Sequence, residues 1–347
     1  MAGSVSTNRK HYAMTGTRRV AVMAILLLTW LARPLDASVT GVCSNCHVMH
    51  ASQTGVGSTP RDGLLKNTCL GCHTGTNNGS GTPYVLTSGA TTLANALAGG
   101  NFKFAGDSVN FGHNPLDLGV AAIVSPPGWN SSGFAANGQV GDNATWNSQL
   151  TCAGTWGCHG THDVSGVFGG HHNNSTGQLN SATTVGNSFR LLYKIKGYED
   201  DDWQYETTTD KNIYYGVARG SDTTTDTQTI SYLCAECHGI FHSGAAKEGV
   251  ADSSFASPWI RHPVDLTMPL TGEYASYNTY RTDAPVASSA VPATSTINVG
   301  AASGRIVFCL SCHQAHATPY YAMLRWDYRG SGSTWTNGCS YCHTVKN

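Results

Sequence analysis

The one long apolar run in this chain is residues 20 to 32, VAVMAILLLTWLA. Elsewhere no 3.6-residue period marks an amphipathic helix, and no sustained alternation marks a sheet. Two shorter segments have strand character: FRLLYKIKGYEDDDWQYETTT, residues 189 to 209, and IVF, residues 306 to 308. Gly, Ser, Thr and Asn dominate stretches such as TGTNNGSGTP (74 to 83) and SSGFAANGQVGDNATWNSQ (131 to 149), and SSAVPATSTINVGAASG (288 to 304) reads as a loop. The pattern predicts a mostly coil chain with minor β structure. Forty glycines and few aliphatic runs make a poor hydrocarbon core, yet the chain is too weakly charged to read as disordered. Something other than aliphatic side chains is expected to fill the middle. No shift in composition marks an internal boundary, so residues 38 to 347 are read as a single unit.

The apolar run is preceded by a basic segment with Arg9, Lys10, Arg18 and Arg19, and is followed by small residues around Ala37. That order is the form of a secretory signal, here residues 1 to 37. Thirteen residues are short for a membrane span, which needs about 20, so no stable span is expected. Removing the signal leaves 15 basic and 20 acidic residues, a net charge of −5. A balance of that sign disfavours nucleic acid as a partner. A chain outside the cytoplasm with twelve cysteines could carry six disulfides. The cysteine spacing argues otherwise.

Five copies of Cys-x-x-Cys-His use ten of the cysteines: Cys43, Cys46 and His47; Cys69, Cys72 and His73; Cys234, Cys237 and His238; Cys309, Cys312 and His313; Cys339, Cys342 and His343. Cysteines three apart lie on one side of a helical turn. Both sulfurs can then form thioethers with the vinyl groups of one haem, and the adjacent histidine can bind its iron. A thioredoxin-like redox pair would occur once and needs no following histidine. A zinc site doubles Cys-x-x-Cys but does not place His after every second cysteine. The last two cysteines, Cys152 and Cys158, precede His159 with five intervening residues instead of two. Gly154 and Gly157 supply backbone freedom for a bulge. This is read as a sixth attachment unit, the alternative being a Cys152–Cys158 disulfide with His159 idle.

An iron so held has a second face. Met49, Met268 and Met323 are too few for six irons. Beyond the six motif histidines and His11 of the signal, eight remain, and the expected ligands are His50, His113, His172, His242, His262 and His316. His50, His242 and His316 follow a motif by three or four residues and should serve a neighbouring haem rather than their own. His113 and His262 stand at proline-bearing turns. Of the pair His171 and His172 one is expected to ligate, with His172 preferred and His171 the reserve. His162 is discarded. With both faces filled by imidazole, the chain moves electrons and binds no substrate at metal. The acidic run Glu199 to Asp202 reads as a solvated turn, with calcium binding the alternative.

The doubled motifs, CHVMH near the mature start, GCHG after a C-x5-C, the paired HH and the block CLSCHQAHATPYYAMLRWDYRG resemble the multihaem c-type cytochromes of metal-reducing bacteria. That group overlaps with extracellular cytochromes that polymerise into conductive filaments. The resemblance implies six covalent haems c and a coil chain with short helices at the haem motifs, its core formed by stacked haems. It also implies a secreted, extracellular or periplasmic location. The implied partners are other redox proteins or extracellular acceptors such as metal oxides, and a homopolymer in which a histidine placed like His50 is donated to the next subunit. The rival class is a multihaem reductase of a small nitrogen or sulfur oxyanion, which needs one iron with a vacant face.

Overall fold

In a computed structural model of the chain, the described residues are 42–48, 64–79, 81–87, 97–107, 110–119, 124–129, 146–162, 171–172, 177–204, 211–219, 226–242, 262–328 and 338–344, less the side chains of residues 106, 107, 240 and 242. All fall in the compact unit Ala37–Asn347. The expected signal segment and His50 lie outside the described residues.

Three short helices are described: α1 (Cys69–Cys72), α2 (Ile230–Ala235) and α3 (Cys309–Cys312). Each carries the first cysteine of a motif. Two further motifs open on 3₁₀ turns, Cys43–Asn45 and Cys339–Tyr341. Four-residue helices do not persist on propensity; caps and packing hold them. The Thr68 hydroxyl accepts from the Gly71 N–H at 3.2 Å, and Thr229 accepts from Tyr232 at 3.2 Å. At α3 the Ser311 hydroxyl accepts from the Phe308 N–H at 3.1 Å. Among the described residues no helix is long and apolar enough to cross a membrane.

The β structure is equally short. Strands β1 (Gly177–Leu179), β2 (Gly197–Glu199) and β3 (Ile213–Tyr214) form an antiparallel sheet in that order. Leu179 pairs with Gly197, and Gly197 with Tyr214. A second antiparallel pair joins β4 (Leu266–Thr267) to β5 (Ile306–Val307). The IVF segment thus supplies β5, and Phe308 beyond it is buried. The long segment 189 to 209 is not one strand. Among its described residues 197 to 199 form the strand, while Arg190, Leu191 and Lys194 adopt positive φ and the Phe189 N–H closes on the Ile195 carbonyl at 2.8 Å. That curl seats Phe189 against Gly197, where an added Cβ would stand 2.6 Å from the phenyl ring. The acidic run is a solvated turn only in its second half: Asp201 is exposed and Asp202 half-buried in the turn 201–204, whereas Glu199 and Asp200 are buried, the Glu199 carboxylate accepting the Arg190 N–H and lying beside its guanidinium.

Apolar packing is divided into small clusters. Leu179, Phe189, Ile195, Tyr214, Ile230, Ala287, Ile306 and Phe308 form the largest, with Cys234 and Leu310 packed against it. Leu70 of α1 packs with Phe102, Ala105 and Ala317. Met268, Tyr277, Val286 and Val299 pack with Cys342 at their margin. Each cluster therefore backs a cysteine motif, and none forms a continuous hydrocarbon centre among the described residues.

Candidate functional site

In all five Cys-x-x-Cys-His units the histidine N–H returns to the carbonyl of the first cysteine: His47 to Cys43 (2.9 Å), His73 to Cys69 (2.9 Å), His238 to Cys234 (2.9 Å), His313 to Cys309 (3.2 Å) and His343 to Cys339 (2.9 Å). The unit with the longer loop closes the same way. The His159 N–H donates to the Cys152 carbonyl at 3.0 Å, and the Cys158 N–H reaches it at 3.3 Å, as Cys46 reaches Cys43 at 3.2 Å. The three extra residues are looped out. Gly154 takes φ +87°, and a Cβ on Gly157 would stand 2.4 Å from the Ala153 nitrogen. None of the twelve cysteines is in a disulfide. Burial pushes the Cys158 thiol up to about 11, Cys342 up to about 11 and Cys312 up to about 12. Thiols so raised are poor thiolates, which disfavours disulfide exchange and metal thiolate chemistry there.

The motif histidines meet the other histidines ring to ring. His47 faces His172 with centroids 5.9 Å apart, His73 faces His171 at 6.2 Å, His159 faces His316 at 6.3 Å, His238 faces His113 at 6.2 Å and His343 faces His262 at 6.0 Å. Two metal–nitrogen bonds of about 2 Å each, with half a ring added at either end, span a distance of about 6 Å. The spacing therefore fits one iron between each pair. His171 and His172, from which one ligand was expected, each face a different motif histidine. His316 faces His159 rather than His313 three residues before it. His313, alone of the six motif histidines, faces no imidazole among the described residues.

The remaining ring nitrogens fix which nitrogen is free. Nδ1 of His73 bonds the Pro83 carbonyl (2.8 Å), His159 that of Arg190 (3.0 Å), His238 that of Pro127 (2.6 Å) and His313 that of Ala322 (2.8 Å). On the opposing side His113 bonds the Ala315 carbonyl (2.6 Å) and His262 that of Pro263 (2.8 Å). A carbonyl only accepts, so Nδ1 carries the proton and the Nε2 lone pair is left for a metal. Burial holds His238 down to about 4 and His316 down to about 3. Both are neutral, as ligation requires. His162 is occupied differently, with Nδ1 2.7 Å from Glu236 and Nε2 3.4 Å from the Cys158 carbonyl. The His242 side chain is outside the described residues.

Local sequence explains the placement of His113 and His316. The His316 N–H donates to the Gly99 carbonyl (2.7 Å), Asn101 donates to Ala317 (2.9 Å), and His113 donates to His316 (2.9 Å). Residues 315 to 317 are thereby held between 99–101 and 111–113. A Cβ on Gly99 would lie 2.9 Å from the His316 ring, and one on Gly112 would lie 2.4 Å from the Ala317 Cβ. The glycines are what let the backbones close on this segment. Their role, and that of the accepting carbonyls, was not visible in the sequence; a glycine flanking a candidate ligand is the nearest available signal.

Neighbouring attachment units touch in sequence order. Adjacent residues His172 and His171 face the motif histidines of the first and second. The Cys69 and Cys152 sulfurs and an Asp117 oxygen lie within 4.8 Å of one another, joining the second to the third. The His162–Glu236 contact joins the third to the fourth. The Cys309 thiol and burial push Cys234 well up, which marks the fourth and fifth as neighbours, and Cys342 and Cys339 act on Cys312 at the fifth and sixth.

A family model described as the doubled CXXCH motif matches residues 301–347. With that match at its end and the same closure repeated along its length, the chain has the attachment pattern of a multihaem c-type cytochrome. No curated protein matches it. Among solved structures it is similar to the outer membrane cytochrome S filament of Geobacter sulfurreducens, with 18% identity over 84% of each chain and a TM-score of 0.40. The OmcS nanowires of the same organism give 19% identity over 84% of each chain and a TM-score of 0.49.

Proposed function

We propose that this protein is an electron carrier with six haems c, exported from the cytoplasm and passing electrons between redox partners or to extracellular acceptors such as metal oxides. The observation that carries the reading is the set of five facing imidazole pairs, each with a motif histidine on one side. A haem held between each pair would supply a one-electron couple whose potential its two imidazoles would lower. The chain's own residues do the rest. Cysteines tether, Nδ1-to-carbonyl bonds orient His73, His113, His159, His238, His262 and His313, and the ordered contacts between attachment units line the sites up as a path. With an imidazole on each side, an iron held between a pair would have no position for substrate. The test is an electron paramagnetic resonance spectrum of the ferric protein with and without nitrite or hydroxylamine. Low-spin signals alone, unchanged by either, are expected; a high-spin signal that either ligand abolishes would turn the reading to a reductase.

His313 favours a second reading. Its Nδ1 is held like the others, yet no described imidazole faces it. We propose that His50 of another copy completes this site, so that the chain polymerises. His50→Ala should leave one iron high-spin and the protein monomeric by light scattering; six low-spin haems in an assembled variant would overturn that.

A further inference from the structure

Of the ring nitrogens described at the motif histidines, one meets a charge. Nδ1 of His343 lies 3.4 Å from Oε1 of Glu273. At His73, His159, His238 and His313 the same atom bonds a neutral backbone carbonyl. The pair is well screened from water, with side-chain exposures of 20% for His343 and 15% for Glu273. Two contacts fix it in place. The Thr344 hydroxyl donates to the Glu273 carbonyl at 2.8 Å, and the Tyr274 ring stands edge-on to His343 at 5.3 Å. Glu273 sits in the first turn of the 3₁₀ segment Gly272–Ser276, a loop remote in sequence from the motif it serves.

We infer that Glu273 sets the reduction potential of the sixth site by the charge it places beside His343. At 3.4 Å the two make an ion-pair contact and no hydrogen bond; the carboxylate's charge polarises the imidazole and makes it a stronger donor. A stronger donor would favour ferric over ferrous iron, so a haem held here would lie below the potential a neutral carbonyl partner would give it. The proposal rests on the haem reading above. Two other charges are close. The buried Arg305 guanidinium donates to the Tyr274 carbonyl, and Arg281 pairs with Asp283 at 2.7 Å over the Tyr341 ring. Glu273 is the charge set against the His343 ring nitrogen itself, a positioning residue whose effect travels through that ring.

The experiment is a potentiometric titration of full-length mature Glu273→Gln beside the parent, each first weighed for covalent haem. Glutamine keeps an accepting oxygen and loses the charge. Expected are the parent's haem count, a low-spin spectrum, one component displaced to more positive potential, and an altered g-tensor for one ferric haem. Asp283→Asn, which removes a nearby charge without touching His343, should leave the titration in place. A Glu273→Gln titration that superimposes on the parent, or moves no further than Asp283→Asn does, overturns the inference. Should Glu273→Gln not fold, the near-infrared magnetic circular dichroism of the parent decides. One charge-transfer band displaced from the rest supports the inference, and a single uniform band overturns it. A parent lacking the sixth haem by mass fails the haem reading instead.

Discussion

His171 and His172 are consecutive, yet their rings face His73 and His47, two different sites. Truncating either should therefore cost one iron its second imidazole without touching the same haem. His172→Ala and His171→Ala are each expected to show one high-spin haem in six by paramagnetic resonance, and the double variant two. If one single variant stays fully low-spin, that residue is no ligand. At this scale the motif histidines were legible, because Cys-x-x-Cys-His is written along the chain. Opposing partners were legible only as a pool. Which histidine meets which depends on tertiary placement, and a preference for one of two adjacent histidines assumed that a pair serves a single site. The accepting carbonyls were out of reach, since every residue has one.

The element that decides the number of sites is the loop from Cys152 to His159. It reproduces the closure of the shorter units by folding three residues out, and Gly157 has no room for a side chain. Gly157→Ala should push a methyl into the Ala153 backbone and distort the loop by roughly 1–3 kcal/mol. The expected outcome is a fraction of the protein one haem short by mass, with the other haems retained. An unchanged haem count would mean the loop yields more easily than its backbone contacts indicate. The helical turns at the motifs were readable from spacing. Strand content was not. Segment 189 to 209 has strand composition, but its backbone curls so that the Arg190 carbonyl meets the His159 ring. Demand for an acceptor at that histidine overrides local propensity.

Across the whole molecule, three small apolar clusters, each backing a cysteine motif, explain why so glycine-rich a chain folds at all. Stability should depend on pH through a group away from the cysteines. Burial, then its hydrogen bond with Asp202, holds the Asp200 carboxyl up at about 7. A carboxyl raised above its unfolded value of about 3.9 favours the fold when protonated. That contribution is present below pH 4 and is lost as pH rises toward 7. Asp200→Asn should remove the loss and stabilise the protein at pH 8 by on the order of 1–2 kcal/mol. Thermal unfolding at pH 5 and pH 8 checks this; a variant no more stable than its parent at pH 8 would show that Arg190 already offsets the charge.

The most direct measurement is the intact mass of the purified mature protein, taken with its haem-to-protein ratio after denaturation. The expected result is a polypeptide carrying six covalent haems with no free thiol, the site at Cys152 and Cys158 included. Five haems with two titratable or disulfide-bonded cysteines would remove the third site and break the ordered path, and a colourless chain would contradict the account as a whole.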